Sequence, residues 1–219
     1  MTNHADARLT PVTCRGRDLD ATVDGRFASV IDEIADYTDA QLSSATRIDR
    51  RTYPSLGRPS LTVGVTVGVG VPRAGFATAI TLGLARQDFS GRGFPHRLEL
   101  VSCWSELDPS VGIVLAAAAL HSIETGFFPA PGMLLRDAVA SSGVSFGDRF
   151  PDLLFVHPFC WGRQLRELDT PGPSVWFVQA LPVTREESDY KVSSGMDALE
   201  MKLRKSRVDL RRLDRSSVV

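Results

Sequence analysis

An α+β fold, with helices packed on a mixed and largely antiparallel sheet in a single domain, follows from three observations. Residues 61–71 and 76–85 alternate apolar and small or polar side chains with a period of two, which is the signature of strands. Residues 110–123 are apolar nearly all round, so this helix must be covered on most sides. The element order along the 219 residues is helix, strands, helix, strands, helices, which fits segregated α+β layers better than a regular βαβ repeat. A chain of this length is one domain with at most short appendages. Residues 1–22 read as a loose lead-in and residues 23–219 as the domain.

The first helix is signalled by Phe27, Val30, Ile31 and Ile34 at helical spacing, with Asp24 available as its N-cap. Seven Asp or Glu against the single Arg26 between positions 18 and 39 give this helix an acidic face, read as solvated. A polar stretch with Pro54, Gly57 and Pro59 leads to the hairpin. There Leu61, Val63, Val65, Val67, Val69 and Val71, with Phe76, Ile80, Leu82 and Leu84, are expected to form one bulky face. The other face is then Gly, Ala and Thr, and close packing of a helix is preferred over a platform for a partner's backbone. A third strand covers residues 96–104, with Leu98, Leu100 and Trp104 on one side and Arg97, Glu99 and Val101 on the other. Asp108-Pro109 opens the apolar helix and Gly126 closes it. Further strands are expected at residues 153–157 and 175–181. Thr184-Arg-Glu-Glu187 is a capping box, and Gly195 divides the helical segment that follows into two.

Composition excludes several functions. The 25 basic residues balance 26 acidic ones, so bulk charge does not direct the chain to nucleic acid. Cys14, Cys103 and Cys160 are an odd set without repeating spacing, unlike a secreted disulfide framework. The polar N-terminal stretch has no signal-like apolar segment, and residues 111–120 are half the length of a membrane span. A cytoplasmic protein with no membrane or nucleic-acid partner is expected. Seven basic residues between positions 202 and 215 read as a solvated segment.

Chemistry is sparse. Gly68-Val-Gly70 has Arg73 where a dinucleotide-binding turn needs its third glycine, and a strand rather than a helix follows. Gly143-Val-Ser145-Phe-Gly147 matches a nucleophile elbow in letters, but it lacks the flanking strand and helix. His157 and Cys160 are a lone close pair without the second pair of a structural zinc site. Among Glu99, Glu106, Asp108 and Glu124, Glu99 stands out as an acid within an apolar strand, with pairing to Arg97 as the plain explanation. No cofactor or metal is implied. The enzymatic alternative is a small hydrolase or transferase using Glu99, Ser145 or the His157/Cys160 region, and a hydrogen bond from His96 or His157 to Glu99 or Ser145 would favour it.

Several segments taken together resemble one family. They are Arg97-Leu-Glu-Leu-Val101 with Trp104 and the Ala-rich helix ending Glu124-Thr-Gly126. Pro129 to Gly132, Leu153-Leu-Phe-Val-His-Pro158 and Val175-Trp-Phe-Val-Gln-Ala-Leu-Pro182 follow. The most specific is Pro182-Val-Thr-Arg-Glu-Glu187 running into Tyr190-Lys191 and Gly195-Met-Asp-Ala-Leu199, then Val208-Asp-Leu210 and Asp214-Arg-Ser-Ser-Val218. This pattern resembles the suppressor-of-fused-like domain in its bacterial form, with the hairpin at 61–85 as its continuation. The loop Phe127-Phe128-Pro129 departs from it, lacking the Trp and Gly-His pattern of the family. The resemblance implies a non-catalytic protein-binding domain. Its partner would be a cognate toxin, as for an immunity protein, or a peptide segment of another protein, held by stoichiometric occlusion. Phe127, Phe128, Trp161 and Arg163, aromatic or arginine side chains in loops, are the expected partner contacts.

Overall fold

The computed structural model describes residues 25–105 and 110–219, with side chains from residue 30 onward. Helix α1 (Gly25–Gln41) precedes strands β1 (Arg47–Pro54), β2 (Thr62–Val69), β3 (Phe76–Leu82) and β4 (Arg97–Ser105). Helix α2 (Val111–Thr125) is followed by β5 (Leu134–Leu135), β6 (Asp152–Val156), β7 (Glu167–Leu168) and β8 (Val175–Val183). Helices α3 (Arg185–Ser194) and α4 (Met196–Ser206) end the regular structure. The sheet runs β1-β2-β3-β4-β8-β6-β5, with β7 beside the first residues of β8. Among the described strands, only β4 and β8 pair in parallel. The expected α+β architecture is the observed one.

Both faces of the sheet are covered. On one face, Val63, Val65, Leu98, Leu100, Trp104, Leu153, Phe155 and Ala180 pack with Val111, Val114 and Leu115 of α2. Each such side chain taken from water contributes roughly 1.5–3 kcal/mol, so α2 is the main clamp on this side. On the other face, Ile31, Ile34 and Leu42, from α1 and the turn after it, lie against Ile80, Val101, Cys103, Val175 and Phe177. Alternation continues that face to Leu154, Leu181 and Val183, which are covered by Leu199 and Leu203 of α4. The acidic side of α1 is solvated as expected, with Asp32, Asp36 and Asp39 exposed. The capping box of α3 is present with both of its reciprocal bonds, and Gly195 separates α3 from α4 as expected. The candidate caps Asp24 and Asp108, and the lead-in 1–22 with Cys14, lie outside the described residues.

The hairpin corrects one expectation. Its register sets Val65 opposite Thr81, Val67 opposite Ala79 and Val69 opposite Ala77, while Gly64, Thr66 and Gly68 oppose Leu82, Ile80 and Thr78. Turn length fixes register, and a one-residue shift exchanges faces. The bulky stripe of each strand therefore lies beside the small stripe of the other, and no continuous smooth face exists. Both small stripes serve internal packing. Above Gly68, Leu42 approaches so closely that an added Cβ would stand 2.9 Å from its Cδ2.

Strand β1 has no counterpart in the sequence reading. It is an edge strand pairing only with β2, and Tyr53 is its one buried residue, so Arg47-Ile-Asp-Arg-Arg shows no apolar alternation. The C-terminal basic segment also differs from expectation. The Arg211 carbonyl accepts the Ser105 amide at 3.1 Å, and Arg215 is buried, so the chain end is laced into the domain. Three further cations are engaged: Arg204 pairs with Glu200, Arg212 with Asp214, and Lys202 lies over the Tyr190 ring.

Candidate functional site

The loop of residues 157–166, between β6 and β7, is held down along its length and displays side chains from its crest. Gln179 of β8, fully buried, accepts the Phe159 amide at 3.1 Å through Oε1 and donates through Nε2 to Cys160 Sγ at 3.3 Å. Trp161 is only 6% exposed, with its indole N–H donating to Thr78 Oγ1 of β3 at 2.9 Å. The Leu165 amide donates to Tyr37 Oη of α1 at 3.2 Å, and the Leu165 side chain is buried. On this loop Phe159 is 48% exposed, and His157 and Arg163 are also exposed. A presented aromatic and an arginine on a backbone fixed from below have little ordering entropy left to lose on binding.

Phe127 and Phe128 lie on the opposite face of the sheet. Phe127 sits half-buried between His121 and Phe155, and Phe128 packs on Phe89 and Phe94 with centroids 5.1 and 5.3 Å away. Phe94 meets the edge of Trp176, which stacks on His96 at 5.2 Å. The four expected contact residues thus form two separate groups. The aromatic chain joins Phe89, Phe94 and His96, neighbours in sequence, to the distant Phe128 and Trp176, which only the fold brings together.

The residues considered for chemistry are dispersed. Glu99 does not pair with Arg97, whose guanidinium lies 3.9 Å from Asp88. Its carboxylate accepts Thr81 Oγ1 at 2.5 Å and the amides of Gly83, Ala85 and Leu84 at 2.7, 3.1 and 3.3 Å. The reason is a turn: Gly83 takes a φ of 128°, open to glycine alone, and turns the following amides back onto β4. Burial pushes the Glu99 carboxyl up from its ordinary value, against the lowering by Thr81 and the three amides. His96 bonds Ser174 Oγ at 2.8 Å through Nδ1 rather than an acid or Ser145. Ser145 is exposed within consecutive turns, without the strand and helix of a nucleophile elbow. Glu124 receives the Ser55 hydroxyl. No group of three or more His, Cys, Asp or Glu that could hold a metal ion occurs among the described residues.

The sequence matches the family profile described as suppressor of fused protein over residues 62–216, from β2 to just past the buried Arg215. The chain belongs to the suppressor-of-fused family. Among curated relatives, the immunity protein YqcF of Bacillus subtilis is 28% identical over 153 residues, covering 68% of this chain and 77% of that protein. Solved suppressor-of-fused structures share the fold. A homologue from Neisseria gonorrhoeae superposes with a TM-score of 0.65 at 18% identity, covering 88% of this chain and 98% of that one. The chain in a Sufu–Fu complex gives 0.59 at 16% identity, covering 87% of this chain and 91% of that one. Drosophila Suppressor of Fused gives 0.56 at 17% identity over 86% of this chain, which spans 50% of the Drosophila chain. The family match begins at β2, so α1 and β1 precede it. No helix among the described residues is long and apolar enough to cross a membrane.

Proposed function

We propose that this protein is a non-catalytic binder that holds one protein partner stoichiometrically, acting as a cytoplasmic immunity protein that occludes a cognate toxin. The observation that carries the reading is its similarity to the Bacillus subtilis immunity protein across 77% of that protein's length. The Sufu–Fu complex supports protein capture as a use of this fold. The burial of Glu99 under four donors supports a structural rather than a chemical role for that acid. The partner docks on the loop of residues 157–166 through Arg163, with Phe159 beside it and Trp161 holding the loop from below. Phe127 and Phe128 form a second contact on the opposite face.

The test is capture from the native host by three baits: wild type, Phe159→Ala/Arg163→Glu, and Phe127→Ala/Phe128→Ala, each checked for an unchanged melting temperature. One stoichiometric protein captured by wild type, and bound at least about tenfold more weakly by the loop variant, is the expected result. Equal capture by all three baits would overturn the placement of the contacts. Absence of any protein partner would overturn occlusion itself.

A further inference from the structure

Cys103 and Cys160 are the two free thiols among the described residues, and the fold brings them together from β4 and the loop after β6. Three observations define the pair. Gln179 is the register partner of both Val101 and Val156, so its side chain shares the sheet face that carries Cys103, two residues beyond Val101. The two hydrogen bonds from Gln179 to Phe159 and Cys160 then lower the loop onto that face. Finally, Cys160 packs against the apolar cluster that holds Cys103, and the two thiols interact electrostatically.

The two sulfurs differ in access and in charge. Cys103 is 1% exposed, whereas Cys160 is partly open to solvent. Its interaction with Cys103 lowers the Cys160 thiol from its ordinary value, with Gln179 and Arg211 adding to this against burial and Asp209. The same interaction, with burial, pushes Cys103 up. Arg211 is itself fixed, donating to Asp209 at 2.7 Å and stacking 4.3 Å over the Phe76 ring. A partly exposed thiol that gives up its proton before its shielded neighbour, with that neighbour on the same sheet face to resolve it, is the arrangement of a peroxide-reactive pair.

We propose that Cys160 is an oxidation site for hydrogen peroxide and that Cys103 resolves it, joining the loop of residues 157–166 to β4 by a reversible disulfide. In the first step the Cys160 thiolate attacks one peroxide oxygen. The O–O bond breaks, hydroxide leaves, and Cys160 becomes the sulfenic acid. In the second step the Cys103 sulfur attacks the Cys160 sulfur. The S–O bond breaks and the hydroxyl leaves as water with the Cys103 proton. Together, two thiols are oxidised by two electrons and one peroxide is reduced to two waters. A dithiol reductant reverses the link by exchange. The proposal concerns this loop's covalent state and stands independently of which partner the protein binds.

The test is peptide mapping of the folded full-length chain after brief exposure to hydrogen peroxide, with remaining thiols alkylated before digestion. The expected result is one cross-linked peptide pair containing Cys103 and Cys160, lost on reduction, with Cys14 still alkylated. Cys14→Ser keeps the link. Cys103→Ala loses it and drives Cys160 on to the sulfinic acid, a gain of two oxygens on that peptide. Cys160→Ser leaves Cys103 unoxidised. If Cys160 in the folded wild type is oxidised no faster than Cys103, or links to Cys14 or to a second copy instead, the proposal is overturned. The wild-type map decides the matter even if the Cys103 variant does not fold.

Discussion

Glu99 and Glu187 are both fully buried carboxylates, and each accepts four hydrogen bonds, yet their surroundings differ in one respect. Glu99, on β4, faces the Thr81 hydroxyl and the amides of Gly83, Leu84 and Ala85, all neutral donors. Glu187, in the first turn of α3, accepts the Thr184 and Val218 amides and a bidentate clasp from the Arg215 guanidinium at 2.5 and 2.8 Å. Arg215 is held in turn by the Pro182 carbonyl at 3.2 Å, and it lies 4.9 Å over the Phe150 ring. One acid fastens a turn to a strand within the sheet, and the other fastens the chain end to a helix start. A buried acid in this fold is thus a fastener whose cost depends on whether a cation accompanies it.

Removal of the cation should separate the two most sharply. Arg215→Ala leaves Glu187 buried without its counter-charge and should cost about 3–5 kcal/mol, measured by denaturant unfolding. A loss below about 1 kcal/mol would mean that the C-terminal clasp is dispensable, as for an exposed ion pair. Glu99→Ala strands amides rather than a charge, and should cost about 1–3 kcal/mol for each donor that water cannot reach. Glu99→Gln keeps an acceptor for the Gly83 and Ala85 amides and a donor for Thr81 but leaves the Leu84 amide facing an NH2 group, so at neutral pH it should cost about 1–3 kcal/mol in all, less than Glu99→Ala.

The pH dependence sharpens the same contrast. Burial raises the folded pKa of Glu99 above its ordinary value of 4.5, so above that pH the folded state binds more protons than the unfolded chain. Its contribution to stability is therefore greatest below pH 4.5 and falls as pH rises from there to the folded pKa. Subtracting the unfolding free energy of Glu99→Gln from that of wild type across this range should show a declining difference. A flat difference would place the Glu99 carboxylate at an ordinary pKa.

Features set by local pattern were legible in the sequence, and those set by distant chain were not. The alternation of β2 and β3, the capping box at Thr184 and the division at Gly195 each follow from neighbouring residues. The relative faces of the hairpin did not, because register depends on the conformation of the turn at residues 70–75. Strand β1 was missed because an edge strand with one buried residue carries no apolar period. Three of the four partners of Glu99 are backbone amides 14–16 residues upstream, which leave no mark in residue identity. Glu187 was legible as a cap, but its clasp on Arg215, 28 residues on, was not. Arg163 could be found as an exposed loop arginine, whereas Phe159 went unnoticed until the anchoring by Gln179, Trp161 and Leu165 showed which side chains the loop leaves outside.

On the proposed reading this protein works by holding a partner, and Glu99, the buried acid of β4, is structural. The most direct measurement is calorimetric titration of the captured partner into wild type and Glu99→Gln. Equimolar binding with affinities within about twofold of each other is the predicted result. Partner inactivation at far less than equimolar protein, abolished in a Glu99→Gln chain that remains folded, would contradict it and make this an enzyme.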